Sequence, residues 1–188
     1  MKKISDKTIL ILGVFLFLLS YVFDYQVNLF FRNLRFGLFD FVFSIITNFG
    51  IVVLIMVVIP SIILYRKNKK PLYLLWLAFL ASLIISFSVK LIFLRQRPIE
   101  AFTYPFTNII SYSFPSLHAM AVFSLLPILT RHLPKQTNFW IIFAFVVAFT
   151  RIYFGFHFLS DVVFGSLFGY FLGNYMLELY KKKRLWFK

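Results

Sequence analysis

The sequence predicts an all-α, polytopic membrane protein: a six-transmembrane-helix bundle with interfacial helices after the first span. Three observations carry this. Of 188 residues, 61% are hydrophobic, against roughly 45–50% in soluble domains. Mean hydropathy is +0.87. The 20 Lys and Arg residues mostly fall in short clusters between long uncharged runs, as they do at the flanks of membrane helices. A single membrane-embedded domain over residues 1–188 is expected, with no room for a separate soluble module.

A hydrocarbon core of about 30 Å takes roughly 20 helical residues to cross. By that ruler the spans run over 8–24, 47–65, 71–93, 115–133, 138–155 and 159–180. Lys2, Lys3 and Lys7 precede the first, as in a secretory signal. Asp24-Tyr25-Gln26 then follow instead of a small-residue cleavage site, so a retained span is expected. Segment 25–46 mixes Arg32, Arg35 and Asp40 with many Phe and Leu, the pattern of helices lying in the interface. The alternative is one long tilted helix over 36–65.

Arg66-Lys67-Asn68-Lys69-Lys70 and Arg131-His132-Leu133-Pro134-Lys135 are basic turns between spans. Pro71 and Pro115 stand at helix starts, where a missing N–H costs nothing. Pro60 and Pro127 lie inside spans and disturb the helical ladder there. Gly165, Gly169 and Gly173 line one face of the last span. That stripe admits close approach of another backbone, inside the bundle by preference, or else across a dimer seam.

With six spans, the basic clusters at 2–7, 66–70, 131–135 and 181–188 all fall on one side, which marks that side as cytoplasmic. Both termini are then cytoplasmic, and the protein is expected to be integral to the cell (plasma or inner) membrane. The net charge of +14 resides largely in these flanks, so nucleic acid is not an expected partner. Cysteine is absent, which excludes disulfides and thiolate chemistry.

Three polar patches interrupt the apolar chain, all near the outer face. The first is Lys90 with Arg97-Pro98. The second is Pro115-Ser116-Leu117-His118. The third is Arg151, His157 and Asp161. Ionisable groups at membrane depth are costly to hold and mark functional sites. Arg97 suits two phosphate oxygens in one plane, and Lys90 acts as a point charge. Taken alone, Lys90 equally fits a side chain snorkelling to water. Ser116 opens a helix whose free N–H groups favour an anion, although a serine N-cap is common without any ligand. Asp161 near His157 fixes an imidazole tautomer, and the same pair also serves to close a loop. Arg95 and Glu100 are read as solvated loop residues.

This ordered set resembles the type 2 phosphatidic acid phosphatase family, whose members carry Lys-x6-Arg-Pro, Pro-Ser-Gly-His and Ser-Arg-x5-His-x3-Asp. The resemblance covers about residues 8–180. Leu117 stands where the family has Gly, and Thr150 where it has Ser. The resemblance implies an enzyme, a hydrolase of lipid phosphomonoesters or pyrophosphates at the outer membrane face. His157 would attack phosphorus and form a phosphohistidine, with His118 protonating the leaving oxygen. Asp161 would orient His157, while Lys90, Arg97, Ser116 and Arg151 hold the phosphoryl oxygens. No metal and no cofactor are expected. The partners are the bilayer and a lipid phosphate: undecaprenyl or another polyprenyl pyrophosphate first, phosphatidylglycerophosphate or phosphatidate second. The segment 99–114 reads as an interfacial lid or an ordinary amphipathic loop. A lipid phosphotransferase uses the same residues. An anion or proton transporter is the competing class, against which stands the lack of repeated halves or broken spans.

Overall fold

The computed structural model describes residues 6–67, 69–98 and 112–182. Those residues form helices and connecting turns, with no strand among them. The helices are α1 (Asp6–Asn33), α2 (Gly37–Thr47), α3 (Phe49–Lys67), α4 (Lys69–Phe93), α5 (Leu117–His132), α6 (Thr137–Tyr153) and α7 (Leu159–Lys181).

Five helices are long and apolar enough to cross a membrane: α1, α3, α4, α6 with its leading turn, and α7. The remaining long element, α5, has 16 residues, about 24 Å of helix. It is the centre of the bundle. Every residue from Ala119 to Leu129 is buried, between α4, α6 and α7. By contrast α1 exposes Leu10, Ile11, Val14, Phe15 and Leu18, the side chains a lipid-facing helix presents.

α1 continues to Asn33, nine residues beyond the end expected from hydropathy at 24. The charges of Asp24 and Arg32 do not stop a helix whose backbone is self-satisfied. Of the segment 25–46 expected to lie in the interface, residues 25–33 continue α1 and α2 is a separate short apolar helix; a single helix over 36–65 does not form. Asn48, at ψ 123°, breaks the chain between α2 and α3, and its side chain then accepts from the N–H groups of Gly50 and Ile51. An Asn offers the exposed donors of a new helix a better partner than the old helix does. In α3 a π turn at Leu54–Val58 precedes Pro60. A proline leaves a carbonyl one turn back without its N–H, and a π turn is a local answer to that.

The glycine stripe lies inside the bundle. Gly165, Gly169 and Gly173 are buried against the α5 backbone, at Ser116, Met120 and Ser124 respectively. A Cβ on Gly165 would sit 2.8 Å from the Ser116 carbonyl oxygen. The stripe therefore sets how closely α7 approaches the start of α5.

Candidate active site

Alternating helix direction gathers specific ends at one pole of the bundle. These are the carboxyl ends of α2, α4 and α6 and the amino ends of α3, α5 and α7. The polar patches lie on those ends. The segment 99–111, which holds Glu100 and most of the expected lid, lies outside the described residues.

His157 occupies the turn between α6 and α7, where Gly155 takes a positive φ of 69°, a conformation glycine adopts without steric cost. The imidazole is only 2% exposed. Burial first, then the charges of Arg97, Lys90, Arg151 and His118, hold it well below its ordinary pKa. Groups from all three patches therefore act on one imidazole.

Nδ1 of His157 is 3.6 Å from Asp161 Oδ2, an ion-pair approach longer than a hydrogen bond. The Asp161 carboxylate has closer partners. Oδ2 accepts from the Phe158 N–H at 2.9 Å, and Oδ1 accepts from Arg95 Nη1 at 2.8 Å. The backbone also links two patches, since the Ser116 N–H donates to the Asp161 carbonyl at 3.1 Å.

Lys90 is 2% exposed and donates to the carbonyl oxygens of Tyr112 and Ser113 at 2.6 and 3.3 Å. It does not snorkel; it is folded into the site and ties α4 to the approach of α5. Arg97 Nη1 donates to the Phe156 carbonyl at 2.8 Å, which draws the first patch onto the turn that carries His157.

Arg151 is buried, with its guanidinium 4.5 Å from the centroid of the Phe156 ring. Its Nη1 donates to the Thr47 hydroxyl at 2.6 Å. Thr150 and Thr47 are also hydrogen-bonded through their hydroxyls at 2.9 Å. The hydroxyl that a serine would supply is thus retained by Thr150.

Ser116 is the N-cap of α5, and its Oγ accepts from the Ala119 N–H at 3.5 Å, a long bond. Leu117 is the first residue of α5, and its backbone is not among the positive-φ positions. This turn therefore has no conformational need for glycine. His118, partly exposed, places Nε2 3.0 Å from the Thr47 carbonyl oxygen, with its ring edge-on to Phe49.

Arg95 corrects the sequence reading, which left it solvated. Its guanidinium donates to Asp161, to Ser160 Oγ at 2.7 Å and to Asp24 Oδ2 at 2.7 Å. It also stacks 4.1 Å from the Phe158 ring centroid. Asp24, from α1, further accepts from the Ser160 N–H at 2.8 Å. The sequence analysis missed Asp24 and Thr47 as members of this site. One signal was available for Asp24, a lone carboxylate in the apolar run that became α1. A threonine gives no such signal.

A model of the PAP2 superfamily matches residues 70–185, more than half of the chain. Two solved structures are similar in fold. One is the PAP2-type phosphatidylglycerolphosphate phosphatase from Bacillus subtilis, with TM-score 0.70, 21% identity, and coverage of 95% of this chain and 98% of that one. The other is Aquifex aeolicus LpxE, with TM-score 0.67, 25% identity, and coverage of 82% and 94%. No curated protein matches the sequence.

Proposed function

We propose, on the premise that the chain belongs to the PAP2 superfamily and is a membrane lipid phosphatase, that it works without a metal through a phosphohistidine on His157. The observation that carries the proposal is the convergence on one turn of the buried His157, with Asp161 3.6 Å from its Nδ1, Arg97 bonded to the Phe156 carbonyl at 2.8 Å and Arg151 stacked 4.5 Å from the Phe156 ring centroid.

Nδ1 of His157 faces Asp161, so Nε2 is the nucleophile. It attacks phosphorus, and the bond from phosphorus to the lipid leaving oxygen breaks. His118 gives that oxygen its proton. Water then attacks phosphorus, the P–N bond breaks, and His118 takes up the proton released by the water. Phosphoryl transfer depends on positioning and on stabilising spread negative charge. Lys90, Arg97 and Arg151 supply three cations for this, with Ser116 as a further donor. The two carboxylates nearest the site, Asp24 and Asp161, are both engaged by Arg95, which leaves the charge stabilisation to the cations.

His157 needs to start neutral, and its lowered pKa supports that state. His118 needs to start protonated. A backbone carbonyl beside its Nε2 keeps a hydrogen on that nitrogen, so the proton it gives up is the one on Nδ1.

Six spans, cytoplasmic termini and an outward-facing site remain the preferred topology, with α5 as the sixth span. Its flanks carry Arg131 and Lys135 at one end and the polar patches at the other. The substrate is a lipid phosphate, with polyprenyl pyrophosphate first and phosphatidylglycerophosphate or phosphatidate second. The Bacillus subtilis neighbour supports including phosphatidylglycerophosphate in any panel.

Purified protein in detergent, given each of these lipids in excess chelator, should release inorganic phosphate. Release from none of them would remove the proposal and favour transport. Phosphate that instead appears on an added lipid alcohol would identify a phosphotransferase.

A further inference from the structure

We infer that Thr47 is a positioning residue for both halves of this site, setting the tautomer of His118 with its carbonyl and the pose of Arg151 with its hydroxyl. The inference rests on the roles proposed above for those two residues.

Thr47 ends α2, a helix that shares no sequence patch with the site. It is nearly buried, at 9% exposure. The Asn48 break turns the chain there, and the Ile51 N–H, which would bond the Thr47 carbonyl in an unbroken helix, goes to Asn48 Oδ1 at 3.3 Å. The last carbonyls of a helix need partners from outside it. For Thr47 that partner is His118 Nε2 at 3.0 Å. A carbonyl accepts and never donates, so Nε2 carries a hydrogen in both the neutral and the charged ring. The proton given to the leaving oxygen then comes from Nδ1.

The side chain acts separately. Its Oγ1 accepts from Arg151 Nη1 at 2.6 Å and is bonded to Thr150 Oγ1 at 2.9 Å. Thr150 Oγ1 in turn lies 2.6 Å from the Val147 carbonyl one turn back on α6. The guanidinium is thus held along one edge by Thr47 and on one face by Phe156. That leaves the planar fork in a fixed pose, which bidentate capture of phosphate requires.

The test uses full-length protein in detergent with dioctanoyl phosphatidate as substrate and orthovanadate as inhibitor. Thr47→Val keeps size and carbonyl but loses the hydroxyl. It should cut kcat/KM and weaken vanadate inhibition together, each on the order of 10–100-fold, the worth of a hydrogen bond to a charged group. Thr47→Ser should restore both to within about threefold of wild type, a fraction of such a bond. Nitrogen NMR of labelled His118 should give the Nε2–H tautomer when neutral.

Full activity and vanadate affinity in Thr47→Val would overturn the side-chain role. So would a loss that follows thermal stability alone and is not rescued by serine. An Nδ1–H tautomer would overturn the carbonyl role. His157→Gln, run in parallel, tests the underlying reading: an active His157→Gln rejects the phosphohistidine mechanism, whereas an inactive one beside a normal Thr47→Val rejects only this inference.

Discussion

Arg95 and Asp161 form a 2.8 Å ion pair whose guanidinium also holds Asp24 of α1, 71 residues away in sequence. One cation therefore bridges two buried carboxylates, with Ser160 between them. Removing a member of such a group leaves uncompensated charge, which costs more than the group contributes when intact. Arg95→Ala is expected to lower stability by about 3 kcal/mol and to lower turnover as Asp161 shifts. Asp24→Asn, which retains an acceptor and removes one charge, should cost less. Thermal unfolding in detergent, beside activity, checks the order. A harmless Arg95→Ala would mean that the network is incidental.

The rate should depend on pH through His157 in a stated direction. Its folded pKa lies well below 6.5 because burial and nearby cations disfavour the charged ring. The proposed nucleophile is therefore neutral where a free imidazole would already be charging, and the acid limb of kcat/KM should fall below the usual imidazole value. The alkaline limb should report loss of the His118 proton, giving a bell. The stability sign follows from the same shift. As pH falls below about 6.5, the unfolded chain takes up a proton that the folded one refuses, so stability declines at up to about 1.4 kcal/mol per pH unit. It is recovered as pH rises. A profile flat from mildly acid to alkaline pH would count against two titrating histidines.

Gly165→Ala and Gly169→Ala should both destabilise the bundle by roughly 1–3 kcal/mol, the usual cost of overpacking. They should differ in activity. The Cβ at 165 would press on the Ser116 carbonyl at 2.8 Å, inside the site, whereas the one at 169 meets Met120 deeper down. Per unit of stability lost, Gly165→Ala should lose more kcat/KM. Equal losses would separate the stripe from catalysis.

Lys90→Met should abolish activity, because it removes a cation and frees the carbonyls of Tyr112 and Ser113 that fix the entry to α5. Lys181→Ala should change little. That side chain pairs with Glu178 at an exposed position, where ion pairs contribute at most about 1 kcal/mol. His157→Ala should form no phosphoenzyme with labelled substrate. If Lys181→Ala were as harmful as His157→Ala, the site assignment would be wrong.

Topology is open to direct measurement, since the chain contains no cysteine. Single cysteines at Lys135 or Lys182 should be shielded from an impermeant thiol reagent in whole cells. One at Phe36, beside the start of α2, should react. The reverse pattern would invert the orientation.

Much of this protein was legible in its sequence. Apolar runs of membrane-crossing length fixed the helical architecture, because a chain in hydrocarbon has to satisfy its backbone within each helix. The spacing of Lys90, Arg97, Ser116, His118, Arg151, His157 and Asp161 singled out the residues proposed as the site, because ionisable groups are costly to hold at that depth. What holds these residues was decided only by the tertiary structure. Asp24, Thr47 and Arg95 reach partners 66 to 136 residues away, through α1, α2 and a loop that local pattern treats as membrane filler or solvated turn. Hydropathy could not end α1 at Asn33 or break the chain at Asn48. The break at Asn48 is a local side-chain cap on Gly50 and Ile51 that hydropathy does not register, whereas the bonds of Asp24, Thr47 and Arg95 form only after the helices assemble, and a one-dimensional pattern carries no record of those distances.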